Sequence, residues 1–169
     1  YRLHITQSCP PTPGQPHKEP MHIPVRLGLV GSEAELRFAP GDEVAATEHV
    51  LELHEPQTTF VFTGIPERPV PSLLRGFSAP VKARYDYGSA DLERLMRLDT
   101  DGFARWDAGQ TLALRVLQSR ITGAGGEGPD PGLEAAFLAP LRDPDADPAT
   151  VAQMLVLPAE TYLGELAER

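Results

Sequence analysis

The chain has 169 residues, 41% of them apolar, and a formal net charge of −9. That length supports a buried core, in one domain or in two small modules, and two modules is the preferred reading. Lys and Arg are scattered singly among carboxylates, which argues against nucleic acid as a partner; the single Cys9 excludes an internal disulfide. No charged-then-apolar leader and no long apolar span is present, so the expectation is a soluble, cytoplasmic protein with no membrane partner.

Tyr1, Leu3 and Ile5 alternate with Arg2, His4 and Thr6, the period of two expected where one strand face meets a core. Pro10, Pro11, Pro13 and Gly14 stop that strand. Ile23, Val25, Leu27 and Leu29 alternate again, and Pro24, with no amide hydrogen to donate, predicts an edge position or a bulge. Leu51 and Leu53, then Phe60 and Phe62, then Val81, Ala83, Tyr85 and Tyr87 repeat the alternation. Short strands separated by turn residues predict an antiparallel β-sandwich over residues 1–88.

Residues 1–88 carry 8 basic and 10 acidic groups, and residues 89–169 carry 7 and 14, so the composition changes near Gly88. There the period becomes helical. Ser89 is expected to cap a short helix with Leu92, Leu95 and Met96 on one stripe. A longer helix follows, with Phe103, Trp106, Gln110, Ala113, Leu114, Leu117 and Ile121 as its expected apolar face. Glycines from Gly123 to Gly128 read as a flexible link. Asp130-Pro131 and Asp147-Pro148 each set a capping carboxylate before proline, predicting helices that carry Leu133, Phe137 and Leu141, then Val151, Met154 and Leu155. Pro158 breaks the last of these. Leu163 and Leu166 keep helical spacing, and residues 89–169 read as the first helices of a larger helical domain cut short at Arg169.

Few residues suggest bond chemistry. His17 and His22 are five apart, as are His49 and His54, which puts each pair on opposite faces of an extended chain; solvated or backbone-bonded histidines are therefore the expectation, and no metal site. Asp99, Asp101, Gly102 and Asp107 have the wrong spacing for a calcium loop, and Asp99 or Asp101 is expected to cap the helix at Gly102. Asp143, Asp145 and Asp147 read as turn and cap residues. Cys9 lies beside two prolines as a bystander thiol, and Ser72 and Ser78 lack the strand-to-helix glycine turn of a nucleophile. Arg105, Trp106, Asp107 and Gln110 form the most interesting polar group; with Trp106 on the buried stripe, they are expected to anchor the helix to the sandwich.

Three blocks carry a resemblance: Thr12 to Val25, the proline-rich stretch Pro69 to Lys82, and Asp101 to Gln110, with Gln57 to Phe62 between them. Together they resemble the bacterial aminopeptidase N family of zinc metallopeptidases, of the membrane alanyl aminopeptidase type. The resemblance implies an immunoglobulin-like antiparallel sandwich over 1–88, followed by the start of the C-terminal helical domain over 89–169. It implies a parent zinc-dependent hydrolase that removes N-terminal residues from peptides, using a His-Glu-x-x-His helix. No such string occurs in this chain, so no catalytic or metal residue is carried over and the isolated piece is expected to be inactive, without a cofactor of its own. Its implied partners are the catalytic and remaining helical domains of its own parent chain, with peptides as the parent's substrates. The sandwich would then be an interdomain strut, with Leu73, Leu74 and Phe77 as expected interdomain packing residues and the stretch Pro69 to Pro80 as a fixed connector. The alternative is an autonomous immunoglobulin-like module that holds a peptide or protein along an exposed edge, with Ile23 to Val30 as that edge.

Overall fold

The computed structural model describes residues 1–41, 43–124, 126, 128–144 and 146–167. Gly125, Glu127, Asp145, Arg169 and the side chain of Leu166 lie outside the described residues, and with them parts of the glycine-link, aspartate-turn and terminal-stripe readings. The chain divides into two units, Tyr1–Ala83 and Arg84–Arg169.

Among the described residues the first unit holds five strands: β1 (Arg2–Thr6), β2 (Ile23–Val30), β3 (Glu48–Leu53), β4 (Gln57–Val61) and β5 (Val70–Leu73). All pair antiparallel, in a two-stranded sheet β1-β4 and a three-stranded sheet β3-β2-β5. Period-two patterning decides which side is buried. Leu3 lies opposite Phe60 in one sheet; in the other, Val25 lies opposite Leu51 and Leu29 opposite Pro71. Val25, Leu27, Leu29, Leu51 and Leu53 are all buried, and Phe38 closes edge-on against Phe62 at a ring-centroid distance of 5.3 Å.

Three strand expectations are corrected. The first concerns Ile23 to Val30, which is the central strand of its sheet, although its first half, Ile23 to Arg26, is paired with β3 alone and so gives Pro24 the local edge position expected of it. Pro24 is tolerated there because β5 accompanies only Leu27 to Val30. Beyond the end of β5 the Ser78 hydroxyl accepts from the Arg26 amide at 3.0 Å and donates to the Pro24 carbonyl at 2.9 Å. A residue's amide and carbonyl point the same way along a strand, so the proline nitrogen faces a gap in the ladder and no bond is lost. Second, the proline-rich stretch from Pro69 is more than a connector, since it supplies β5 itself; Pro71 sits on an edge strand, where its missing donor does no harm. Third, Val81 to Tyr87 forms no strand. Its backbone closes into local turns, with Val81 N donating to Ala79 O at 2.9 Å and Tyr87 N to Tyr85 O at 3.0 Å.

In the second unit run α1 (Ser89–Leu98), α2 (Gly102–Ile121), α3 (Pro131–Arg142), α4 (Pro148–Met154) and α5 (Glu160–Ala167). The aspartate caps fall where sequence predicts: Asp101 accepts from Ala104 N at 2.8 Å, Asp130 from Leu133 N at 2.9 Å and Asp147 from Thr150 N at 2.8 Å. Ser89 is not the cap of α1. Gly88 occupies that position, and Asp91 accepts from its amide at 3.0 Å, because a carboxylate one turn in reaches back where a first-turn serine cannot. Leu92, Leu95 and Met96 are buried as the stripe predicts. The buried face of α2 only partly overlaps the expected one: Ala113 is buried as expected and Gln110, Leu114 and Leu117 are half-buried. Ala108, Gly109, Leu112 and Ala113 point inward, whereas Phe103, Trp106 and Ile121 are exposed. Small residues win the core because Met96 of α1 lies directly over Gly109, where a β-carbon would meet its sulfur at 3.2 Å.

Candidate functional site

The best-organised polar group in the first unit lies on the side of the three-stranded sheet opposite the apolar core. After β2 the chain folds back, with Gly31 N donating to Ala34 O and Leu36 N to Leu29 O, both at 2.8 Å, which sets Glu35 beside Val30. After β5 a short 3-10 turn (Arg75–Phe77) lowers Arg75 onto the same face. The Arg75 side chain is 2% exposed; it donates from Nε to Ser72 Oγ at 2.9 Å and from a terminal nitrogen to Glu35 at 2.6 Å. Glu48 lies 3.9 Å away on β3 and itself approaches Arg26 at 3.7 Å. The guanidinium is pressed against β2 at Gly28, where an added β-carbon would stand 2.0 Å from Cζ. Gly28 is therefore the floor of the site: only a residue without a side chain lets the cation lie flat on the backbone.

The turn that delivers Arg75 is strained. Leu74 and Phe77 take φ of 56° and 53°, the left-handed region that costs a residue with a β-carbon about 1–2 kcal/mol. Of the three residues expected to pack between domains, Leu74 is buried, Leu73 is half-buried opposite Leu27, and Phe77 is 59% exposed. The ring available on this turn is thus Phe77. Sequence reasoning missed Arg75, Glu35 and Gly28. A glycine inside an alternating strand is the signal that could have found them, since it marks a close approach to the backbone.

In the second unit, Arg105 donates from Nε to the Met96 carbonyl at 3.0 Å, tying α2 to the end of α1. Gln110 donates to the Val156 carbonyl at 2.6 Å, just past α4. Trp106 is exposed, correcting its expected place on a buried stripe, and its ring lies 5.8 Å from that of Phe103. Together with Gly102, Thr150, Gln153 and Met154 these two rings line an open depression of about 340 Å³. Partial burial pushes the carboxyl of Asp107, a residue still exposed at the surface, above its ordinary value, while the Thr150 hydroxyl and amide hold Asp147 below it.

The histidines separate into distinct roles. His49 is a core residue: its Nε2 lies 2.7 Å from the Phe38 carbonyl and its Nδ1 3.0 Å from Glu43. His4 pairs with Thr59 at 2.9 Å on an exposed face. His22 and His54, each read in sequence with a different partner, stack on one another at a centroid distance of 4.2 Å, and His22 contacts Glu52. His22, Glu52 and His54 lie exposed on the sheet with ligand atoms within 4.8 Å of one another, and the His-Glu-x-x-His string of a metallopeptidase helix does not occur in the sequence.

These features define an immunoglobulin-like antiparallel sandwich followed by a helical-repeat unit. The chain belongs to the family described as Domain of unknown function (DUF3458) Ig-like fold, matched over residues 1–86, and residues 89–169 match the companion DUF3458_C family of ARM repeats. It is 36% identical over 171 aligned positions to aminopeptidase N of Escherichia coli, covering 98% of this chain and 19% of that protein. It is also 42% identical over 133 positions to aminopeptidase N of Caulobacter vibrioides, covering 79% and 15%, and 37% identical over 121 positions to that of Haemophilus influenzae, covering 72% and 14%. The crystal structure of Legionella pneumophila aminopeptidase A in complex with aspartic acid superposes with a TM-score of 0.76 at 30% identity, over 98% of this chain and 17% of that one. The chain thus spans no more than about a fifth of the proteins it matches.

Proposed function

We propose that this chain is the non-catalytic interdomain region of a zinc-dependent aminopeptidase, in which the sandwich is a strut between a catalytic domain and a helical domain. The observation that carries the reading is the end-to-end match, through both units in order, to a minor segment of proteins named aminopeptidase. The absence of a His-Glu-x-x-His string from the sequence supports assigning the chemistry to another part of the parent. A strut has to keep its shape under load, and a buried Arg75 clamped by Ser72 and Glu35 beneath a strained turn is suited to that. Phe77, presented on that turn, is the anchor we assign to the neighbouring domain, and Arg105, Trp106, Asp107 and Gln110 are the group we assign to anchoring the helices to the sandwich.

The parent enzyme is cytoplasmic in this reading and acts on peptides; among the described residues no helix is long and apolar enough to cross a membrane. The test has two arms. The 169-residue chain, assayed on amino-acid anilides with and without zinc, is expected to give no turnover, and turnover abolished by a chelator would overturn the assignment. In the longer enzyme, Phe77→Ala is expected to weaken domain docking by about 1–2 kcal/mol, the worth of burying the exposed part of the ring. An unchanged melting temperature together with unchanged turnover would count against Phe77 as an anchor.

A further inference from the structure

We propose that His22, Glu52 and His54 form a surface site for one divalent transition-metal ion of the zinc class, which clasps the start of β2 to the end of β3. This inference concerns the sandwich alone and holds whether or not the parent is a peptidase. It starts from register. Ile23 pairs with Leu53 and Pro24 with Glu52, so the ladder extended by one residue sets His22 opposite His54. Side chains two apart on a strand share a face, which brings Glu52 to the side of the sheet that carries both imidazoles. One ligand atom from each of the three lies within 4.8 Å of the other two. Zinc with bonds of about 2.0–2.1 Å holds its ligand atoms roughly 3.4 Å apart, so closure needs side-chain rotation and no movement of the strands.

The backbone around the site is already tied. The Gln7 side chain accepts from Met21 N at 2.8 Å and donates to the carbonyls of Met21 and Glu55, at 2.8 and 3.0 Å. One amide group thereby bridges the residue before His22 to the residue after His54, holding the two rails at a set distance. Two imidazoles and one carboxylate select zinc, nickel or copper over magnesium or calcium, which take all-oxygen shells. All three side chains are exposed, leaving a fourth position open to water.

The experiment is a calorimetric titration of the full chain with zinc, repeated on His54→Ala and Glu52→Gln, with His17→Ala as a control at an exposed histidine elsewhere. Loss of a mere supporting hydrogen bond to a ligand weakens metal affinity about 10–100-fold. His54→Ala is therefore expected to weaken binding by about a hundredfold or more, Glu52→Gln by about tenfold, and His17→Ala not at all. Zinc should also shift the ring-nitrogen resonances of His22 and His54 and raise the melting temperature of the wild type but not of His54→Ala. Absence of a one-equivalent zinc site, zinc affinity undiminished in His54→Ala, or calcium bound as tightly as zinc would each overturn the proposal.

Discussion

Replacing Gly28 by alanine tests the clamp on the sandwich with a single methyl group. The new β-carbon would lie 2.0 Å from Arg75 Cζ, 2.3 Å from one terminal nitrogen and 2.4 Å from Nε. The guanidinium has to retreat by about 1.5 Å to reach the spacing of about 3.5 Å at which carbon atoms rest. A retreat of that size breaks the 2.9 Å bond to Ser72 and the 2.6 Å bond to Glu35 in a place where the Arg75 side chain is only 2% exposed. Hydrogen bonds to charged groups contribute about 1.5–3 kcal/mol, and breaking a buried ion pair outright costs about 3–5 kcal/mol. Arginine is flexible and recovers part of this, so the expected cost is about 3 kcal/mol. The backbone at Gly28 is not left-handed, and in a background of Arg75→Met the same substitution should instead stabilise by about 0.5 kcal/mol, through the lost freedom of the unfolded chain. Amide hydrogen exchange at Leu27 and Leu29 reads the opening free energy of this unit directly. An equal effect of Gly28→Ala with and without Arg75 would refute the argument, because the cost would then not pass through the guanidinium.

The remaining predictions concern the helical unit, whose unfolding can be followed through the fluorescence of Trp106, the chain's single tryptophan. Asp101→Ala removes the side-chain acceptor for Ala104 N and is expected to cost about 1 kcal/mol in urea unfolding, with Asp101→Asn recovering most of it. Asp147 is held below its ordinary value of 3.8, so its capping contribution is fully present above pH 3.8 and is lost as pH falls through the lower folded value. Amide exchange at Thr150 should accelerate across that acid window in the wild type and show no such step in Asp147→Ala. Asp107 has the opposite sign: burial raises its folded value above 3.8, so the ionised form is penalised at neutral pH and the penalty fades as pH falls through the raised value. Asp107→Asn should therefore unfold at a higher urea concentration than wild type at pH 7, with the gap closing in acid; a gap independent of pH would exclude this cause.

The sequence by itself determined what repeats locally. Alternation at Leu3 and Ile5, at Val25 to Leu29, at Leu51 to Leu53 and at Phe60 to Phe62 picked out four of the strands, and the aspartates before Gly102, Pro131 and Pro148 located three helix starts, since a cap bonds an amide three residues away. Periodicity says which residues share a face and is silent on which faces meet. Only tertiary structure could therefore choose between two stripes of α2: the larger, with Phe103 and Trp106, lost to Ala108 and Gly109 because the approach of Met96 leaves room for nothing bigger. The same limit hid the fifth strand inside the proline-rich stretch, since β5 is recognisable only by its pairing with β2. It also let Val81 to Tyr87 pass for a strand, because alternation says nothing of whether a neighbouring strand is there to pair with, and here the backbone closes into turns. Both polar clusters are products of long-range pairing: Arg75 meets Glu35 across 40 residues and His22 meets Glu52 across 30, separations over which no local pattern carries information.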